Sequence, residues 1–377
     1  MNTPKRVGIL TSGGDCPGLN AVIRAVVSHA TLTYGWEVWG IPYATDGLLE
    51  RQAMPLTLHS FELRGINPLL SMGGTILGTI NRGDTLNHAQ EIILGYYSLG
   101  LDALIAIGGD GSLSILHTLA KQGNWKFIAI PKTIDNDVAL TDRSIGFDTA
   151  VNTITDALDR LTSTAASHDR VMVVEVMGRT AGHLALQAGI AGGADVILIP
   201  EIPYSMAGIC RHLEELRQKW GRKFAIVVVA EGIQPIDVES TDGSEPLQRP
   251  AALTGMGNYI AEQIIRCSDK AVDVRVSVLG HTQRGGIPSA LDRLMAAAFG
   301  KAAVDLVARG YTDQMVTWRN GNVVPISLAD VLSQSPRLVN PNGEFVATAE
   351  ALGIYIGDRT KSQALTVCAP LEITAPL

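Results

Sequence analysis

The sequence predicts an α/β fold of two lobes, each a mostly parallel sheet flanked by helices. Three observations carry it. Short apolar, β-branched runs alternate with longer segments whose apolar residues recur every three to four positions. The short runs are continuously apolar, as strands covered on both faces are. The chain has 377 residues and 46% apolar content, enough for two cores.

In chain order, Val7–Thr11 is the first strand and Asn20–Thr33 its helix, closed by Gly35. Ala103–Ile107 leads into Ser112–Gln122, closed by Gly123, and Phe127–Ile130 follows as a third run. Val171–Val176 precedes the helical pattern of Thr180–Ala191. Val196–Ile199 precedes Ala207–Trp220, closed by Gly221. Ala225–Ala230 precedes Met256–Cys267, and Val274–Leu279 precedes Ser289–Arg309, closed by Gly310. A glycine just past a helix supplies the left-handed residue that ends it. The tail differs. Val316–Ile326 holds Asn320–Gly321 between β-like residues, the signature of a hairpin.

Bulk properties exclude several classes. A net charge of −7 argues against a general nucleic-acid binder, while leaving room for a local basic pocket. The longest apolar runs, such as Phe224–Ala230, are strand-sized and too short to span a bilayer. The start MNTPKRVGILTSGG lacks the long apolar stretch of a signal peptide. The four cysteines (Cys16, Cys210, Cys267, Cys368) show no metal-site spacing and read as free thiols in a reducing cytosol. The expectation is a soluble, cytoplasmic protein with no membrane or nucleic-acid partner.

In parallel sheets ligands bind at the carboxyl ends of strands, and polar residues concentrate there. In LTSGGDCPGLN (10–20), Gly13 and Gly14 let backbone approach a phosphate at a helix start. In GGTILGTINRGDT (73–85), Gly73, Gly74 and Gly78 stand with Arg82 and Asp84. In IGGDGSLSIL (107–116), Asp110 lies between glycines where phosphates would sit. A carboxylate there calls for a bridging cation such as Mg²⁺; its blander reading is a helix cap. In PKTIDNDV (131–138), Asp135 and Asp137 flank an Asn, with Lys132 and Thr133 ahead of them. Such a set can deprotonate a hydroxyl and offset phosphate charge, although Asp and Asn are also common in plain turns.

The second half repeats the pattern with cations. DRVMVVEVMGRTAG (169–182) carries Arg170 before a strand, then Met177, Gly178 and Arg179 after it. VVVAEG places Glu231 after another strand. DVRVSVLGHTQRGG (273–286) carries Arg275 before a strand, then His281 and Arg284 after it. Arginine forks grip phosphate, and Glu accepts from sugar hydroxyls. Any one of these alone reads as a surface ion pair or a core histidine. Together they suggest a pocket for a phosphorylated sugar.

SGGDCPGLN, GGDGS, PKTIDND, VEVMGR, AEG and LGHTQRGG occur in the order found in the phosphofructokinase family, and the chain resembles that family from about Lys5 to about Arg309. The resemblance implies phosphoryl transfer to the 1-hydroxyl of fructose 6-phosphate, with Mg²⁺ and ATP, in a homotetramer. It implies a nucleotide and metal lobe of residues 1–146 plus about 283–331, and a sugar-phosphate lobe of about 147–282 plus 332–377. By motif, Asp135 matches the proton acceptor, Thr133 the residue beside the transferred group, and Asp110 the magnesium carboxylate. Lys132 and Asp137 join that catalytic set. Gly14, Gly109, Gly111 and Ser112 match the nucleotide loops. Thr133, Ile134, Asp135, Met177, Gly178, Arg179, Glu231, His281 and Arg284 match the sugar-phosphate site, and Arg170 and Arg275 match arginines contributed by a neighbouring subunit.

Departures from the family pattern bear on the donor. Asn81 stands where many ATP users have Arg, with Arg82 next to it. ATP users have Gly at the position of Gly111, where pyrophosphate users have Asp. Lys132 is the pyrophosphate-type residue at its position. Exclusion by a carboxylate discriminates better than an added attraction, so ATP is the expected donor and pyrophosphate the alternative. A non-catalytic sugar-phosphate-binding subunit would lack the base or metal carboxylate, and both Asp135 and Asp110 are present. Effector-site matches to the family are partial: Arg24 is present, Ser28 stands in place of its usual partner a turn later, Asp195 stands where a Glu is often found, and the basic pair Arg222–Lys223 is partly kept.

Overall fold

The apolar runs become strands because β-branched side chains fill a pleated surface covered on both faces. The computed structural model describes residues 5–60, 62, 64–80, 84–234, 255–268 and 272–358. Contacts divide the chain into two units, Met1–Thr153 with His281–Arg337 and Ile154–Gly280 with Leu338–Leu377.

The first unit is built on a seven-stranded sheet among the described residues. Its strands are β1 (Arg6–Ser12), β2 (Glu37–Gly40), β3 (Met54–Leu56), β4 (Ala103–Gly108), β5 (Phe127–Pro131), β10 (Gln314–Arg319) and β11 (Asn322–Ser327). Their order is β11-β10-β5-β4-β1-β2-β3. The five inner strands run parallel, and β3 and β11 are antiparallel edges. Every residue of β4 and of β5 is buried. The predicted hairpin is present. Asn320 and Gly321 both have positive φ (49° and 76°), the backbone of a two-residue turn that matches strand twist.

The helices of this unit are α1 (Leu19–Tyr34), α2 (Thr45–Leu49), α3 (Ala89–Ser98), α4 (Asp110–Gln122), α9 (Ala290–Ala308) and α10 (Leu328–Gln334), with α5 (Phe147–Ser167) leading into the second unit. Three of them, α1, α4 and α9, fall where the sequence pattern places them; the others were not read from it. α1 and α9 pack closely, since a Cβ at Gly300 would lie 2.7 Å from Ala25 Cβ. Asp305 of α9 also holds His29 Nε2 (2.7 Å), Tyr34 OH (2.8 Å) and Lys301 Nζ (2.6 Å). Asp292 of α9 is fully buried and accepts from the backbone N–H groups of Gly146 and Thr149, each at 2.9 Å. It thereby satisfies donors that the start of α5 leaves open.

The second unit holds an all-parallel sheet of order β7-β8-β6-β9. These are β6 (Arg170–Val176), β7 (Val196–Leu198), β8 (Ala225–Ala230) and β9 (Asp273–Val278). Its helices are α6 (His183–Ala191), α7 (Met206–Trp220), α8 (Met256–Cys267) and α11 (Glu344–Ala351). Cys210 of α7 and Cys267 of α8 form a disulfide, with Cα atoms 6.5 Å apart. The expectation of free thiols is therefore corrected for this pair. Cysteines 57 positions apart give no local signal, and only the packing of α7 on α8 brings them together. Cys16 is free and buried, and Cys368 lies outside the described residues.

Candidate active site

In the first unit β1, β4 and β5 are neighbours and parallel, so their carboxyl ends present three loops side by side. After β1, Gly13 adopts φ 82°, a left-handed turn that costs glycine little. A Cβ at Gly13 would lie 2.6 Å from Ser112 Oγ and 3.4 Å from Lys132 Nζ. Residues read separately from three loops thus converge on one point. After β4, Gly109 opens α4, and Asp110 and Gly111 form its first turn. Asp110 Oδ1 accepts from the Gly111 N–H at 2.7 Å. A Cβ at Gly111 meets nothing within 4 Å, so packing does not demand a glycine there.

The 73–80 loop joins the same cluster. Thr79 Oγ1 donates to Gly13 O (2.5 Å), and Thr11 Oγ1 donates to Gly78 O (2.7 Å). Asn20, which the sequence reading passed over, is fully buried and staples this loop to α1. It donates to Met72 O and Gly73 O, each at 3.1 Å, and accepts from Ile76 N–H at 2.8 Å. An asparagine at the start of a helical pattern was its one visible signal. Asn81 and Arg82 lie outside the described residues.

The loop after β5 carries the most charge. Lys132 is 4% exposed, and burial pulls its ammonium below the ordinary lysine range. Cys16, Asp137 and Asp135 pull it back up, while Arg284 pushes it further down. Thr133 Oγ1 accepts from Asp135 N–H at 3.1 Å. Burial pushes the Asp137 carboxyl above its ordinary range, and the Asp110 carboxylate adds to that push. Beside them, burial lifts the Cys16 thiol to about 12, so it is an inert neighbour rather than a nucleophile. Ile134 points its side chain into the core at 0% exposure. Arg284 also belongs to this unit. Its Nη1 donates to Asp15 O at 3.1 Å, and a Cβ at Gly14 would lie 2.7 Å from that nitrogen.

This donor set suits a magnesium ion. Asp110 and Asp137 repel each other, and a divalent cation relieves that repulsion. No group of three metal-ligating side chains occurs among the described residues. Mg²⁺ keeps several waters and takes oxygens from substrate phosphates, so one or two carboxylates can hold it.

In the second unit the ends of β6 and β8 adjoin. Glu231 N–H donates to Val176 O (2.9 Å), and Gly232 N–H donates to Gly178 O (3.2 Å). A Cβ at Gly232 would fall 2.0 Å from Arg179 O, so only glycine lets these turns meet. Met177, Gly178, Arg179 and Glu231 therefore share one patch. At the opposite strand ends, Arg170 and Asp273 are register partners on β6 and β9. Asp273 accepts from Arg170 Nε and pairs with Arg275 Nη1, each at 2.6 Å. Asp273 was missed, although its spacing of two from Arg275 puts both on one strand face. His281 is exposed and falls in the first unit. Asp195 is buried and gripped by both Arg222 Nη atoms (2.7 and 2.9 Å).

Glycine-rich loops, a buried lysine and paired carboxylates at adjacent parallel strand ends define a phosphoryl-transfer type of α/β protein. The phosphofructokinase family model matches residues 6–307, and the chain belongs to the phosphofructokinase family. It is 67% identical over 356 residues to the ATP-dependent 6-phosphofructokinase of Trichormus variabilis, covering 94% of this chain and 99% of that one. It is 63% identical to the ATP-dependent 6-phosphofructokinase of Thermosynechococcus vestitus, covering 94% of each. Among solved structures it resembles phosphofructokinase of Pichia pastoris in the T-state, with TM-score 0.76 and 30% identity, over 98% of this chain and 38% of that one. It also resembles a pyrophosphate-dependent phosphofructokinase of Nitrosospira multiformis, with TM-score 0.78 over 94% of this chain and 93% of that one; at 21% identity that likeness concerns the fold alone.

Proposed function

We propose that the protein transfers the terminal phosphoryl group of ATP to the 1-hydroxyl of fructose 6-phosphate, a step of glycolysis. The observation that carries this reading is the convergence of Gly13, Ser112 and Lys132 at three adjacent strand ends, beside Asp110 and Asp137. The first-unit loops hold the donor. Gly14, Gly109, Gly111 and Ser112 are assigned to its phosphates, with Asn81 and Arg82, outside the described residues, as further nucleotide-binding candidates. Lys132 offsets charge on the transferring group, and Thr133 orients it. Asp135 accepts the proton of the attacking hydroxyl. Asp110, with Asp137 in support, would hold Mg²⁺, which when bound neutralises charge on the donor phosphates.

Met177, Gly178, Arg179, Glu231, His281 and Arg284 are assigned to fructose 6-phosphate, with Ile134 contributing backbone. Arg170 and Arg275 serve the sugar phosphate of a neighbouring subunit, so the reading includes a homotetramer. It also includes the lobe assignment of residues 1–146 with about 283–331 and 147–282 with 332–377, and a cytoplasmic location. No helix among the described residues is long and apolar enough to cross a membrane.

Gly111 favours ATP over pyrophosphate, because its position leaves open space for the α-phosphate. The test is to incubate the protein with fructose 6-phosphate and Mg²⁺, adding ATP or pyrophosphate. Fructose 1,6-bisphosphate should form with ATP. Product from pyrophosphate alone would reverse the donor, and product from neither would overturn the enzyme reading.

A further inference from the structure

The loop that carries Asp135 and Asp137 takes an unusual path. Asn136 and Leu140 both adopt left-handed backbone, with φ of 53° and 59°. Leucine seldom does so, and such backbone persists only where its surroundings hold it. Part of the hold is local. Asn136 Nδ2 donates to Asp142 O (3.2 Å), and its Oδ1 accepts from Ser144 N–H (3.0 Å).

The rest comes from roughly 200 residues downstream, from the segment after α10. Arg337 spreads its guanidinium over the inner side of the loop. Nε and Nη2 donate to Asn136 O (3.2 and 2.9 Å), and Nη1 donates to Thr141 O (2.7 Å). Nη2 also reaches Asp142 O at 3.2 Å. The main chain joins in: Arg337 N–H donates to Asp137 O at 2.5 Å. Two residues earlier, Ser335 Oγ accepts from Ala139 N–H at 3.0 Å.

We infer that Arg337 is a positioning residue for phosphoryl transfer, fixing the loop that aims Asp135 and Asp137. This rests on the reading of Asp135 as the base. Several carbonyls turned toward one point repel each other, and a planar cation with five donors offsets this while setting their spacing. Asn136 lies between the two carboxylates and receives two of the N–H groups. Release of its carbonyl therefore moves both acids at once. Lysine, a point charge on a flexible stem, cannot span carbonyls of residues 136, 141 and 142 in the same way.

The test compares Arg337→Ala and Arg337→Lys with the wild type in full steady-state kinetics. A misplacement near 1 Å at a reacting group can cost about 100-fold in rate. Turnover of Arg337→Ala should fall by about that factor, with the KM for fructose 6-phosphate and for ATP within about threefold. Arg337→Lys should fall between, and added methylguanidinium should restore part of the alanine variant's turnover. Wild-type turnover in Arg337→Ala overturns the inference. So does a rise in KM with turnover intact, or a loss of both that only tracks a lowered melting temperature. If the alanine variant does not fold, Arg337→Lys decides alone: reduced turnover at unchanged KM supports the role, and wild-type turnover ends it. Asp135→Ala is measured beside them. Full turnover there overturns the base assignment itself, whatever Arg337 does.

Discussion

Replacing Gly111 by Asp separates what the fold needs from what the donor needs. The position lies in the first turn of α4, and a Cβ there meets no protein atom within 4 Å. The chain should therefore accept the change. Asp exceeds Gly in helix propensity by only about 0.3 kcal/mol, and an acidic residue at a helix N-terminus adds about 0.3–1 kcal/mol. Repulsion from the adjacent Asp110 works against these gains, so net stability should move by no more than about 1 kcal/mol. The donor meets a different balance. A new carboxylate about 4 Å from a phosphate charge, at an effective dielectric near 20, repels by roughly 4 kcal/mol. That corresponds to about a thousandfold in kcat/KM for MgATP. Pyrophosphate has no α-phosphate to repel. The assay is kcat/KM for both donors, with thermal unfolding as the control and Gly111→Ala to separate bulk from charge. Wild-type MgATP kinetics in a folded Gly111→Asp enzyme would refute the reasoning.

Asp135→Ala should lower turnover by about 10²–10⁴-fold with fructose 6-phosphate binding largely kept, as read by calorimetry and kinetics together. Lys132, its proton affinity lowered by burial, loses its charge at lower pH than an ordinary lysine. Activity should therefore fall on the alkaline side at a lower pH than an ordinary lysine would set, and a pH profile of Lys132→Met that keeps the same limb would contradict this. Burial pushes the Asp305 carboxyl up, but hydrogen bonds from Lys301, His29 and Tyr34 outweigh it and hold it at about 2. A depressed acid stabilises the fold above its unfolded value of about 3.9 and loses that contribution as pH falls through its folded value. The melting-temperature gap between wild type and Asp305→Asn should thus be open at about pH 6 and close between about pH 4 and 2. Reducing the Cys210–Cys267 bond should cost about 2–4 kcal/mol of stability. Finding all four cysteines reactive in unreduced, denatured protein would remove that bond from the account.

Buried parallel strands announced themselves because both faces are covered, so β1, β4, β5, β6 and β8 stand out as unbroken apolar runs. Their carboxyl-end loops could be found by position alone. β2 and β3 were not legible: they are short, partly exposed, and one contains Pro55. α5 was passed over because threonines interrupt its face, although Ala150, Ile154, Leu158 and Ala165 are buried at helical spacing. The glycines and acids of the site were visible through their types. The contacts that set them in place were not. Asn20, Asp273 and Arg337 act over separations of about 50, 100 and 200 residues, which no local pattern encodes.

The first unit is discontinuous in sequence, and this shapes how the protein comes into being. β5 gains its neighbour β10 only when residues 314–319 appear, and the Asp135 loop meets Arg337 later still. At a synthesis rate of 5–20 residues per second, the roughly 180 residues separating β5 from β10 take on the order of 10–40 seconds to emerge. Throughout that interval the nascent chain carries an apolar strand with one open edge, the kind of surface that recruits chaperones or pairs with another chain. The last part of the unit to leave the ribosome is also the part whose Arg337 binds the Asp135 loop, so a truncated chain would hold every motif and still lack those hydrogen bonds.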